Sequence, residues 1–314
     1  MALLFFQKTI FTQLYGLNWL ILLSIILSFA SPYFLTRNNL INLVRQISLY
    51  AIIAFGMTFV ILTGGIDLSV GSIVAVTGTF AAGFMKGGTP VWLSVLIGLG
   101  IAILFGLFNG LVISNTRIPA IIVTLSSMSI GRGAALLYSN GYPISGLPST
   151  FTSFGRGYWG PIPIPVYVMV AIFIITYIII SHTRFGRYVY ALGGSEETVR
   201  LSGIAVKKVK TMVYIISGFM AGISGMLLAS RLGSGQPLSG DGWELDAIAA
   251  VVVGGTDIAG GRGTIVGTII GSFIIGVLNN GLNLLNVSPY LQLVVKGFVI
   301  VSAVLVRAGF VRHK

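Results

Sequence analysis

Ten apolar stretches decide what this chain can fold into. They run Leu17–Leu35, Ser48–Leu62, Ser72–Phe84, Val91–Ser114, Ile118–Tyr138, Val166–Ser181, Met212–Ser230, Leu245–Val253, Thr264–Leu285 and Leu291–Val306. A helix needs about 20 largely apolar residues to cross a bilayer. Several of these stretches reach that length, and Leu245–Val253 falls well below it. Charge identifies the solvent. Only 8% of the 314 residues are charged, where a soluble domain carries about 25% to keep its surface wet. So few charges cannot coat a soluble body of this size, and lipid is the outer solvent. With no long polar run, the expected fold is a single all-α, multi-pass membrane domain spanning residues 1–314.

The formal charge of +12 raises the question of nucleic acid, since basic patches neutralise phosphates. The positive residues are scattered, however, and the one dense group lies between two apolar stretches. Lys and Arg near span ends fix orientation, with positive loops held in the cytoplasm. Arg184, Arg187, Arg200, Lys207, Lys208 and Lys210 therefore mark residues 183–211 as cytoplasmic. Arg307, Arg312 and Lys314 place the C-terminus there, and Lys8 the N-terminus. Six crossings before the basic segment and four after it satisfy both intervals, giving about ten. An eight-span arrangement with two re-entrant hairpins is also consistent. The run ending Ser28-Phe29-Ala30 loosely resembles a cleavage site, but reads better as an uncleaved first span. The absence of cysteine excludes disulfides and thiolate metal sites.

Two outer loops follow from this topology. Residues 139–165 hold Pro143, Pro148, Pro161, Pro163 and Pro165 and read as extended or turning. Residues 233–245 carry Asp241 and Glu244, with Asp246 just beyond. The topology places no acid at mid-membrane.

An internal repeat is also visible. Gly64-Gly65-Ile66-Asp67 recurs as Gly254-Gly255-Thr256-Asp257, and Asn109-Gly110-Leu111 with Pro119 recurs as Asn280-Gly281-Leu282 with Pro289. Gly-interrupted repeats are a mark of transporters. Asp67 and Asp257 invite comparison with an aspartyl protease dyad, but two Gly-Gly-x-Asp strings are not that pattern. With their glycines they are better read as helix caps or gate elements. Gly218, Gly222 and Gly225 form a small-residue face suited to close helix packing.

Within the basic segment, Ser195 suits an N-cap. Glu196 and Glu197 follow where negative charge favours a helix start, and Gly203 supplies a stop. A helix of about two turns bearing Val199 and Leu201 results, too short to stand alone. His182 and His313 have no evident partners for zinc or for catalysis. Arg132, charged inside an apolar stretch, is a candidate for the transport pathway or for binding a backbone carbonyl.

Three long strings carry a resemblance. Gly64-Gly65-Ile66-Asp67-Leu68-Ser69-Val70-Gly71-Ser72, residues 183–194 and Glu244-Leu245-Asp246-Ala247-Ile248-Ala249-Ala250-Val251-Val252 resemble the monosaccharide-import permeases of ATP-binding-cassette transporters. The resemblance covers about Ser31 to Val306. Arg200-Leu201-Ser202-Gly203-Ile204 and Leu278-Asn279-Asn280-Gly281-Leu282-Asn283-Leu284-Leu285 resemble the ribose branch in particular. The resemblance implies a homodimer in the bacterial inner membrane, a cytoplasmic ATPase and a periplasmic ribose-binding protein. It assigns Ser195, Glu196, Glu197, Thr198, Arg200, Leu201 and Gly203 to a coupling helix seated on that ATPase. Family members often carry Glu-Ala-Ala followed by Gly there, and this chain departs at both alanines. No Gly-Lys dipeptide occurs, so the phosphate loop that needs one is missing. ATP and Mg are then expected in the partner, with no cofactor in this chain. The competing transporter reading is an ion-gradient-driven carrier, which would place carboxylates at mid-membrane.

Overall fold

Helix boundaries follow from the residues that stop them. The computed structural model describes residues 2–312, so His313 and Lys314 lie outside the described residues. The side chains of Lys8, Arg307 and Arg312 lie outside them too. The described residues form thirteen helices: α1 (Ala2–Ala30), α2 (Arg37–Leu62), α3 (Val70–Lys86), α4 (Val91–Asn115), α5 (Ala120–Ser139), α6 (Ser149–Arg156), α7 (Ile164–His182), α8 (Arg184–Gly194), α9 (Glu196–Leu201), α10 (Val206–Leu232), α11 (Trp243–Val253), α12 (Ile265–Leu284) and α13 (Pro289–Arg312). Pro90, Pro119, Pro148 and Pro163 each stand just before a helix, where their fixed φ suits the first turn. Each of the ten apolar stretches forms the body of a helix. The first stops at Ala30 rather than Leu35, because residues 31–36 turn into α2.

Among the described residues, six helices are long and apolar enough to cross a membrane: α2, α4, α5, α7, α10 and α12. The chain is thus an all-α, multi-pass membrane protein. The central helix is α2, whose residues 47–62 are all buried. A helix apolar on every side needs such a sheath, and α7, α10, α11 and α12 pack around it. By contrast α4 buries 22% of its most apolar window, against 89% for α2, so most of that window lies on the outside of the single chain. Small residues bring α4 and α10 together. Gly106 lies against the Tyr214 carbonyl, and Gly218 against the backbone of Ala102 and Gly106, a spacing that only small residues permit.

Both outer segments depart from the sequence reading. Residues 139–165 contain α6, which Pro148 initiates and which packs on the end of α10 through Gly155 N–H donating to Ser230 Oγ at 2.7 Å. The same loop supplies strand β1 (Ile144–Ser145) and the hairpin β2 (Tyr158–Trp159) and β3 (Ile162–Pro163). Strand β1 pairs antiparallel with β4 (Ser234–Gly235), tying the two outer segments together. After β4 the chain does not stay outside. Gly235 abuts Thr79 and Ala82 of α3, and Gly240 abuts Gly71 and Val74. It therefore runs down α3 by about eight residues, or roughly 12 Å at 1.5 Å per residue. The descent is made through turns over residues 237–242, with Ser239 N–H donating to the Gln236 carbonyl at 3.1 Å. At its foot α11 begins, an 11-residue helix about 16 Å long. Leu245–Val253 is accordingly a half-span, preceded by a re-entrant segment of turns.

Candidate functional site

The basic segment folds as two short helices meeting at Ser195. Thr183 caps α8 by accepting from Gly186 N–H at 3.2 Å. Ser195 ends α8 and caps α9, its Oγ accepting from Thr198 N–H at 3.2 Å. Gly203, at φ +77°, stops the helix, and its N–H returns to the Arg200 carbonyl at 3.0 Å. Local chemistry thus fixes both ends of α9, although its six residues are fewer than the expected two turns. Val189, Leu192 and Val199 face the core. Leu201 does not: it is 79% exposed. Glu196 pairs with Lys210 and Glu197 with Arg200, and the Glu197 partner raises the Arg200 pKa. The outer face of α9 is therefore one apolar side chain framed by two satisfied ion pairs.

This face connects inward through glycine. Gly193, in the last turn of α8, lies where a Cβ would collide with the Leu62 carbonyl and the Gly261 N–H. Those two groups hydrogen-bond to each other at 2.9 Å. Gly260 lies against Gly64 and Gly193, and Tyr190 Oη donates to the Gly263 carbonyl at 2.8 Å. The end of α8 thus meets both Gly-Gly-x-Asp loops at one point. The two loops are not alike in backbone, however. Gly64 is left-handed at φ +76°, whereas in the later loop Gly255 is, at +95°.

Asp67 is fully buried. Its Oδ1 accepts from Ser69 N–H (3.0 Å) and Ser69 Oγ–H (2.6 Å), and its Oδ2 from Ser217 Oγ–H of α10 (2.8 Å). Asn109 of α4 donates to Ser69 Oγ at 2.9 Å, and Thr124 of α5 to the Ile66 carbonyl at 3.2 Å. Asp67 braces the turn into α3 rather than capping its first amides. Asp257 accepts from Ala259 N–H at 3.1 Å, while Thr264 caps α12 by accepting from Gly267 N–H at 2.9 Å. The N-cap positions of α3 and α12 are Ser69 and Thr264, with Asp67 and Asp257 in the turns that lead to them.

Arg132 of α5 reaches the re-entrant segment. Its Nη1 donates to the Pro237 and Ser239 carbonyls at 2.7 and 2.8 Å, and Asp241 lies 3.9 Å from Nη2. A segment descending without helix or sheet partners needs such donors, because unpaired backbone groups are costly at membrane depth.

With this geometry in place, the comparisons with known proteins are decisive. The family described as "Branched-chain amino acid transport system / permease component" matches residues 39–304. The chain belongs to this permease family. It is a membrane-spanning permease component and not an enzyme. Among similar proteins, the ribose import permease protein of Bacillus subtilis (strain 168) is 50% identical over 91% of this chain and 89% of its own length. That of Escherichia coli (strain K12) is 46% identical over 96% of this chain and 95% of its own. The D-allose transport system permease protein of Escherichia coli (strain K12) is 39% identical over 95% and 93%. No solved structure matches the chain.

The permease holds one further group that the sequence reading passed over. Asp246 of α11 receives Lys296 Nζ of α13 at 2.9 Å, the aspartate side chain being 2% exposed. Its depth follows from Trp243, one turn before it, whose ring meets Tyr50 at the middle of α2 with centroids 4.5 Å apart. A buried, ion-paired carboxylate therefore sits near the level of the middle of α2, where the sequence reading placed it just beyond an outer loop. The signal was present as one charge in each of two apolar stretches, which in a membrane calls for a partner. His182 ends α7 beside the Tyr177 ring.

Proposed function

We propose that the chain is the membrane subunit of an ATP-binding-cassette importer in the bacterial inner membrane. It passes ribose, or a similar monosaccharide, from a periplasmic binding protein into the cytoplasm by alternating access. Two copies enclose the pathway. ATP and Mg are held by a separate cytoplasmic ATPase, and about ten segments of each copy traverse or enter the bilayer. The observation that carries this reading is the junction at Gly193. A short, surface-exposed helix with one bare leucine is joined by backbone packing to the two glycine-rich loops below α3 and α12. A partner that pulls on α9 thereby moves both loops, which serve as the gate. The sugar is argued from the relatives, whose names specify ribose import and D-allose transport.

Ion-gradient-driven transport is the second reading, and the buried Asp246 favours it, because such carriers use intramembrane acids. Against it, Lys296 already neutralises that carboxylate. Collapse of the proton and sodium gradients with ATP maintained separates the two. Continued sugar uptake supports the ATP-driven importer, and arrested uptake overturns it.

A further inference from the structure

The re-entrant segment presents an ionised group where lipid would not tolerate one. Asp241 follows directly on Gly240, which lies against Gly71 in the first turn of α3. The far end of α3 is Lys86, about fifteen residues or roughly 22 Å away, within a hydrocarbon layer about 30 Å thick. At that depth the Asp241 side chain is 86% exposed. A carboxylate in hydrocarbon is strongly disfavoured, and intramembrane acids face a protein interior or a water-filled cavity. Arg132 does not bury it: the two are 3.9 Å apart, and the guanidinium is committed to the Pro237 and Ser239 carbonyls.

We propose that the Arg132-pinned segment, residues 237–241, lines the aqueous sugar pathway and that Asp241 accepts hydrogen bonds from the passing sugar. This rests on the importer reading above. A carboxylate offers two acceptor oxygens to a polyol's hydroxyls, and the neighbouring Leu238, 64% exposed, offers an apolar surface to the sugar's C–H face. Arg132 acts as a positioning residue, holding the turns of residues 237–241 through the Pro237 and Ser239 carbonyls so that Asp241 points into the water. In a symmetric pair of chains two such carboxylates face one channel.

The chain has no cysteine, which makes the test direct. Asp241→Cys and, as a lipid-facing control, Leu104→Cys (62% exposed on α4) are reconstituted in vesicles and treated with a charged, water-soluble methanethiosulfonate. Only a hydrated thiol ionises to the reactive thiolate, so Asp241→Cys is expected to react at least about tenfold faster. In the complete complex, ribose with ATP is expected to slow that labelling. Asp241→Asn is expected to raise the KM for ribose several-fold while leaving binding-protein association unchanged. Equal labelling of the two cysteines overturns the proposal, as does a wild-type KM in Asp241→Asn. Labelling needs neither ATPase nor sugar, so failure of the importer reading would leave the labelling result standing.

Discussion

At the scale of single residues, the charged groups inside this permease are tied by different means, and their substitutions should behave differently. Asp67 is held by three donors, two of them side-chain hydroxyls. Asp67→Ala strands those donors, at about 1–3 kcal/mol for each buried group left unsatisfied. A clear fall in the unfolding temperature in detergent is expected, smaller for Asp67→Asn, which keeps one acceptor. An unchanged midpoint for Asp67→Ala would contradict the bracing role. Asp246 is held by an ion pair, where removing one partner leaves a charge bare. Lys296→Met alone is expected to destabilise by about 3–5 kcal/mol, whereas Asp246→Leu with Lys296→Met should recover most of that loss. A double variant no better than the single would show that the pair does more than neutralise charge.

At the scale of elements, the junction between α8 and α9 is the part most exposed to test. A methyl at Gly193 must push apart Leu62 and Gly261. Gly193→Ala is expected to leave ATPase association intact but to lower sugar transport per ATP hydrolysed, measured in vesicles; full coupling would contradict the junction's role. How much of this was legible in sequence depended on range. The ends of α9 were readable from Ser195 and Gly203 because caps and stops are decided within a few residues. The burial of Val199 and the exposure of Leu201 were not, because periodicity over six residues cannot say which face meets the core. Helix α6 was hidden among prolines, since Pro148 was read as a breaker where it acts as an initiator. The descent of residues 235–240 was hidden more deeply. Glycines and acids look like an outer loop until Arg132 of another helix is seen to hold the neighbouring Pro237 and Ser239 carbonyls.

At the scale of the whole molecule, ten apolar stretches announced ten helices, and the sequence could not tell a sheathed helix from a lipid-facing one. Both α2 and α4 are apolar enough to cross a membrane, and it is the less apolar of the two, α2, that is enclosed. The half-span α11 was visible as an apolar run too short to cross, and its partner segment was not. In the proposed importer the chain is a passive frame moved by an external motor through α9. The measurement that tests this most directly is ATP hydrolysis by the chain reconstituted with its candidate ATPase and ribose-binding protein, intact and as Glu196→Arg with Leu201→Asp. The account predicts ribose-stimulated hydrolysis in the intact complex and its loss in the double variant, with the membrane helices still folded. An ATPase that fails to associate with the intact chain, or stimulation undiminished in the variant, would contradict it.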